Sequence, residues 1–331
     1  MRLIDDFINY IGGIRRYSPR TLDIYRRALE DFANTLECGA DEELPGLFRP
    51  ALIRSWEVSL LEVKGLSPRT VHLYMSVLSS FSRFLASRDL LDGNPVASVK
   101  RPRLPSRLPV FYRREAMKAY LESTKIYADG TVLQLYAGSR PLAEGHDVGM
   151  KKSYEAVLGR MIVSLLYATG LRRAELISLN ISSLDFARAT LRVTGKGDKM
   201  REIPLPPAIC DEISLYLNAV ELMVMSGRKP DSPLLVTPSG KRLYPSYVAK
   251  AVSKELSGVE GIKGRKSPHV LRHTLATELL EEGTDLNSIK ELLGHSSLAA
   301  TQVYTHNSIA QLKSIYETAH PRAKKGGKDG D

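Results

Sequence analysis

Between residues 94 and 109 the chain carries Asn94-Pro95, Pro102, Pro105 and Pro109, with Lys100, Arg101, Arg103 and Arg107 set among them. Proline has no backbone N–H and its ring clashes with a preceding helical turn, so neither a long helix nor an interior strand runs through such a stretch. The 331 residues are thereby divided into an N-terminal third and a longer C-terminal part, each able to build its own core. Residues 101–109 read as a basic interdomain linker whose charge suits a phosphate backbone.

The N-terminal third contains a repeat. Ser18-Pro19-Arg20-Thr21 recurs as Ser67-Pro68-Arg69-Thr70, and both are helix starts: serine caps free N–H groups of the first turn, and proline at the first helical position has no N–H to lose. Leu22, Tyr25, Leu29, Phe32 and Leu36 then align with Val71, Tyr74, Leu78, Phe81 and Leu85, at spacings of three and four that make one apolar helical face. Shared capping chemistry accounts for the repeat without duplication. With helices near residues 3–12 and 51–63, the unit is expected to hold four helices and to end near Lys100.

The formal net charge of +10 and a pI near 9.4 favour a polyanionic partner. Arg15, Arg16, Arg20, Arg26 and Arg27 gather around the first repeat; they suit phosphate contacts, and a solvated face is the ordinary alternative. Arg69, Lys100, Arg101 and Arg103 join them as candidates. Cys38 and Cys210 are far apart and belong to no Cys/His cluster, so neither a disulfide framework nor a zinc site is signalled, and a reducing cytoplasm is expected. No apolar run reaches the length of a membrane span.

In the longer part, residues 113–123 and 154–168 have helical spacing, and residues 128–149, rich in glycine, read as a loop or short excursion. Segments 191–194 and 201–205 alternate around Gly195-Lys196-Gly197-Asp198-Lys199, the pattern of a β-hairpin. Helices are expected to dominate from there to a disordered basic tail at residues 321–331.

Several chemistry-bearing residues stand out, each with an ordinary explanation. Arg172 and Glu175 lie three apart after Thr169-Gly170-Leu171, as a surface ion pair would. Lys196 sits on the hairpin turn, whose glycines lack Walker-loop spacing. His269 and Arg272 share a face of a helix starting at Ser267-Pro268, where a structural histidine is common. Gly294-His295 ends a helix, and Tyr304 falls nine residues later on a stretch where core tyrosines are usual.

Their order narrows the choice. TGLRRAEL, VTGKGDKMREIPL, SPHVLRHTLAT, ELLGHSSLAATQVYTH and IYETAHPRA, read in sequence, resemble the tyrosine recombinase and integrase family, most closely its Xer branch. The likeness is strong in the C-terminal part and looser in the N-terminal third. It implies a mainly α fold with a small β-sheet: a two-domain, C-shaped DNA clamp with a helical, SAM-like core-binding domain at 1–100 and a catalytic domain at 110–320. It also implies roles: Arg172 and Arg272 as phosphate-binding arginines, Lys196 as the hairpin lysine, His269 and His295 as the two histidines, Tyr304 as nucleophile and Glu175 as a supporting acid. Glu278 departs from the family by standing where many relatives carry histidine, and residues 128–149 look like extra sequence.

The residue types fit the chemistry. Two permanently charged guanidinium groups can hold the charge that builds on a phosphodiester under attack. A phenol with a pKa near ~10 needs a proton acceptor, for which His269 is suited, and the leaving 5′-hydroxyl needs a donor, for which Lys196 is suited. A 3′-phosphotyrosyl bond would keep the bond energy for rejoining, so no cofactor or metal is expected. The implied partners are duplex DNA with an inverted-repeat site and a homo- or hetero-tetramer, with a paralogous recombinase or DNA translocase as further possibilities. Leu312, Ile315 and Tyr316 would dock on a neighbouring subunit or pack on their own. Resolution of chromosome dimers at cell division is the leading expectation, with a mobile-element integrase as the alternative. A type IB topoisomerase and a non-catalytic DNA-binding module stand further off.

Overall fold

The computed structural model describes residues 2–40, 43–104, 110–142, 145, 147–195 and 200–294. Lys196, His295, Tyr304, the segment around Leu312 and the basic tail lie outside the described residues. The chain divides into two compact units, residues 1–107 and 108–331.

The first unit is built from α1 (Arg2–Gly13), α2 (Pro19–Thr35), α3 (Pro50–Val58) and α4 (Pro68–Ala86), with a π turn at Ser59–Val63 extending α3. The repeated motif produces the same start twice: Ser18 Oγ accepts from Thr21 N at 3.3 Å, and Ser67 Oγ accepts from Thr70 N at 3.2 Å. The aligned faces then meet in one core, where Leu29, Phe32, Val71, Leu78, Phe81 and Leu85 are buried. Phe7 of α1 packs 5.1 Å from both Phe81 and Phe84, and Trp56 stands edge-on to Phe32 while its Nε1 donates to Asp31. The start of the basic segment stays with this unit, since the His72 ring is 2.6 Å from Pro102 O and Arg101 Nη1 donates to Ser76 Oγ.

The second unit contains α5 (Arg114–Ser123), α6 (Thr131–Leu135), α7 (Val148–Thr169), α8 (Arg173–Ser178), β1 (Leu184–Asp185), β2 (Thr190–Thr194), β3 (Met200–Pro204), α9 (Pro207–Met223), α10 (Pro245–Glu255), α11 (Pro268–Glu281) and α12 (Leu286–Leu293). Its centre is α7, buried on nearly every side because α9, α10 and α11 all pack against it. The apolar spacing marks only residues 154–168, but the helix begins six residues earlier, where Asp147 caps it by accepting from Met150 N at 2.8 Å. Part of the glycine-rich excursion is ordered structure: α6 puts Val132 into the core, and Leu142 N donates to Met223 O at the end of α9.

The hairpin forms as its alternation predicts, in register Leu191↔Ile203 and Val193↔Arg201, with the short β1 added on the free edge of β2. Helices dominate after the hairpin as expected, with a non-helical connection at residues 225–244 between α9 and α10. Gly227, Pro230, Pro233, Pro238 and Gly240 break helical continuity there, and the isolated bridges Asn180↔Pro233 and Val236↔Arg242 order the chain instead.

On α11 the position that departs from the family, Glu278, is buried, with the Tyr167 hydroxyl 2.8 Å from both carboxyl oxygens. Burial pushes its carboxyl up to about 7, and the Tyr167 hydrogen bond offsets part of that rise. A folded-state value raised above the ordinary 4.5 means that the associated stability is present at low pH and is lost as pH rises through about 7. Glu278→Gln cannot ionise, so its stability should exceed that of the unmutated protein by more at pH 8 than at pH 5, the two margins differing by on the order of 2–3 kcal/mol. Equal shifts in thermal melts at the two pH values would contradict a buried ionisation at this position.

Candidate active site

Helix α7 stops at Gly170, whose φ of +61° is a left-handed conformation that glycine adopts without strain. A Cβ there would lie 2.4 Å from Leu293 Cδ2 and 3.0 Å from Leu275 Cδ2, so glycine also lets α11 and α12 close over the turn. The chain then presents Leu171 to the core and Arg172 at the entrance to α8.

Three arginines from three elements converge on the end of α12. Arg201 Nε of β3 donates to Leu292 O at 3.2 Å, Arg272 Nη2 of α11 to Leu293 O at 2.5 Å, and Arg172 Nη2 to Gly294 O at 2.6 Å. The last carbonyls of a helix have no intrahelical donors and carry the negative end of its dipole, so cations are suited to cap them. Gly294 makes the close approach possible: its φ is +65°, and a Cβ would stand 3.0 Å from Arg201 Nη1. Arg272 Nη1 also donates to Gly170 O at 2.5 Å, tying α11 to the end of α7.

Glu175 organises the cluster from beneath. Its Oε1 accepts from Arg172 Nη1 at 2.8 Å and Arg201 Nη1 at 3.0 Å, and its Oε2 accepts from Arg172 N at 2.8 Å and Arg201 Nη2 at 2.9 Å. Burial pushes this carboxyl up, but the hydrogen bonds from Arg201 and the Arg172 backbone, together with the Arg201 charge, outweigh it and hold the group at about 2. Arg272 is lowered to about 10 by burial and by the neighbouring Arg172 charge, and so stays cationic at neutral pH. The Arg172 side chain keeps about a third of its surface exposed, at 35%.

His269 lies on the surface one turn before Arg272. Partial burial, then the positive charges of Arg173, Arg265, Arg272 and Arg172, lower its pKa from the ordinary 6.5. The imidazole is therefore mainly neutral at pH 7 and able to accept a proton. Of the residues singled out in the sequence, Arg172, Glu175, His269 and Arg272 belong to one neighbourhood; Lys196, His295 and Tyr304 lie outside the described residues.

Arg201 joins this neighbourhood, a residue to which the sequence motifs give no role. Its signal was present in the alternation of β3, which puts Arg201 on the same inward face as Ile203, where an apolar residue is the rule.

On the first unit, Arg15, Arg16, Arg20, Arg27, Arg69, Lys100, Arg101 and Arg103 are exposed and Arg26 is partly buried. Arg20 and Arg69 occupy equivalent first turns of α2 and α4. Arg26 pairs with Asp5 at 2.5 Å and Arg27 with Asp23 at 3.0 Å, and the Arg15 guanidinium lies 5.8 Å from the centre of the Tyr10 ring. Arg26 and Arg27 would have to exchange these pairs for phosphate contacts, at small cost since exposed ion pairs are weak.

Guanidinium groups anchored on backbone carbonyls stand near a histidine of lowered pKa in a mostly helical two-domain protein. Residues 149–311 match the phage integrase family and residues 4–89 its N-terminal SAM-like domain. The tyrosine recombinase XerC of Chlorobaculum parvum is 31% identical, with 97% of this chain and 95% of the relative covered. That of Bacillus subtilis is 33% identical, with 96% of each covered. Among solved structures, the Tn1549 transposon integrase in complex with transposon right end DNA is similar with a TM-score of 0.63 at 18% identity, covering 95% of this chain and 93% of that one. The XerH site-specific recombinase bound to palindromic difH substrate is similar with a TM-score of 0.61 at 18% identity, covering 92% and 77%. This chain belongs to the tyrosine recombinase family, in its Xer branch, and is a site-specific DNA recombinase. Among the described residues, no helix is long and apolar enough to cross a membrane.

Proposed function

We propose that the recombinase cuts one DNA strand at a time by attack of Tyr304 Oη on a phosphate held by Arg172 and Arg272. The P–O5′ bond breaks as the tyrosyl–phosphate bond forms. His269 takes the phenolic proton, Lys196 gives one to the departing 5′-oxygen, and His295 assists the anionic transition state. One phosphodiester replaces another, so the 3′-phosphotyrosyl link retains the energy for rejoining to a new 5′-hydroxyl. The observation that carries this reading is the pair of guanidiniums fixed on the adjacent carbonyls of Leu293 and Gly294, with Arg172 still open to solvent. Preset cations reorganise little as charge develops, and this is the main source of stabilisation in such reactions.

The biological task we infer is resolution of chromosome dimers at an inverted-repeat site, by a DNA-bound tetramer of this chain alone or with a paralogue. The XerC relatives support this over integration of a mobile element. The bound duplex would be gripped by the basic residues of the first unit and of the linker at 101–109, with the catalytic domain at 110–320.

Selection of duplexes from a random pool supplies the binding site for the test. A nicked version of that duplex should trap an adduct that survives denaturation and maps by mass spectrometry to Tyr304. A plasmid dimer bearing two copies of the site should be converted to monomers. An adduct on another residue, or none on any selected duplex, would overturn the proposal.

A further inference from the structure

Arg201 is buried to 7% exposure, and a cation at that depth persists only where partners match it. Its partners are the two oxygens of Glu175 and Leu292 O. Glu175 Oε1 is shared, since Arg172 Nη1 reaches it as well. Among the described residues the Glu175 carboxylate thus has two guanidinium partners, one buried and one open to solvent. If Arg172 were its sole counter-ion, the carboxylate and a phosphate would compete for one charge in a site of low dielectric.

With Arg201 present, the three guanidiniums exceed the single carboxylate by two positive charges. A phosphodiester carries one negative charge, and its five-coordinate transition state carries two. We propose that Arg201 is a positioning residue for strand cleavage. It neutralises Glu175 so that Arg172 keeps its charge for the scissile phosphate, and it fixes the α12 end to which Arg172 and Arg272 are also tied. This rests on the reading that those two arginines bind that phosphate. A merely structural Arg201 would matter for stability alone, whereas this role makes the harm of losing it depend on the charge of Glu175.

Single-turnover cleavage of the nicked duplex at saturating protein, with half-site affinity measured in parallel, separates these cases. Arg201→Met should slow cleavage by roughly 10²-fold while affinity stays within about threefold. Adding Glu175→Gln to it should recover at least ~tenfold of that loss, because no carboxylate remains to capture Arg172. Arg201→Lys keeps the charge without the planar fork and should slow cleavage by about tenfold. The proposal is overturned if Arg201→Met cleaves at the unmutated rate, if its whole defect lies in affinity, or if the double variant is no faster than the single one. Should thermal melts show that the methionine variant is unfolded, Arg201→Gln with and without Glu175→Gln decides: a double variant no faster than the single one overturns the role. An unmutated protein that forms no adduct overturns the underlying reading as well, and so is told apart from a failure confined to Arg201.

Discussion

Tyr304→Phe is expected to reduce the covalent adduct to an undetectable level, a loss of more than ~10⁴-fold, with duplex affinity changed by less than about twofold. The substitution removes one oxygen atom and no charge at neutral pH, since a phenol with a pKa near ~10 is protonated there. Affinity for DNA comes chiefly from phosphate neutralisation by lysine and arginine, none of which is altered. Activation of this weak nucleophile would come from His269, held neutral by burial and by four arginine charges, and from the cations that stabilise the product anion. Gel shift with a selected duplex and denaturing electrophoresis of the nicked one read the two quantities separately. An adduct formed by the phenylalanine variant would remove Tyr304 as nucleophile. Equal loss of binding and of adduct would mean that its hydroxyl holds DNA and leaves the chemistry elsewhere.

Much of the first unit was legible in the sequence because its signals are local. A serine cap, a proline at the first helical position and apolar residues at three-and-four spacing act within one or two turns, and both copies of the motif built the same start. The second unit was legible where alternation or amphipathy was strong, as in the hairpin. It was less so at the start of α7, whose first six residues put only Met150 into the core and so show no apolar period, leaving the Asp147 cap alone to announce them. In residues 225–244 prolines and glycines say that a helix stops, not what replaces it.

At the site, residue types and order pointed to Arg172, Glu175, His269 and Arg272, but the way they are held was not visible. The convergence on Leu292, Leu293 and Gly294 joins backbone carbonyls, which leave no mark on the sequence, to arginines from three separate elements. Glu175 looked like a surface partner of Arg172 at i,i+3; it is in fact buried between two arginines, one of them 26 residues further along the chain. Only the inward position of Arg201 in the strand pattern carried a hint of it.

Lys196→Ala should slow cleavage of ordinary DNA by roughly 10²–10⁴, the range for a lost general acid. If Lys196 protonates the departing 5′-oxygen, sulfur in place of that bridging oxygen should restore the variant, because a thiolate whose thiol has a pKa near ~8.5 leaves without a proton donor. A lysine that only holds a base or a phosphate would be needed alike for both substrates, since that contact does not depend on the basicity of the leaving group. The decisive quantity is the ratio of single-turnover rates, unmutated over Lys196→Ala, on the oxygen and sulfur duplexes. A ratio that collapses toward one with sulfur assigns Lys196 as the acid. Equal ratios would make it a binding residue and pass the proton donor's role to His269, which would then hand the proton it takes from Tyr304 to the leaving group.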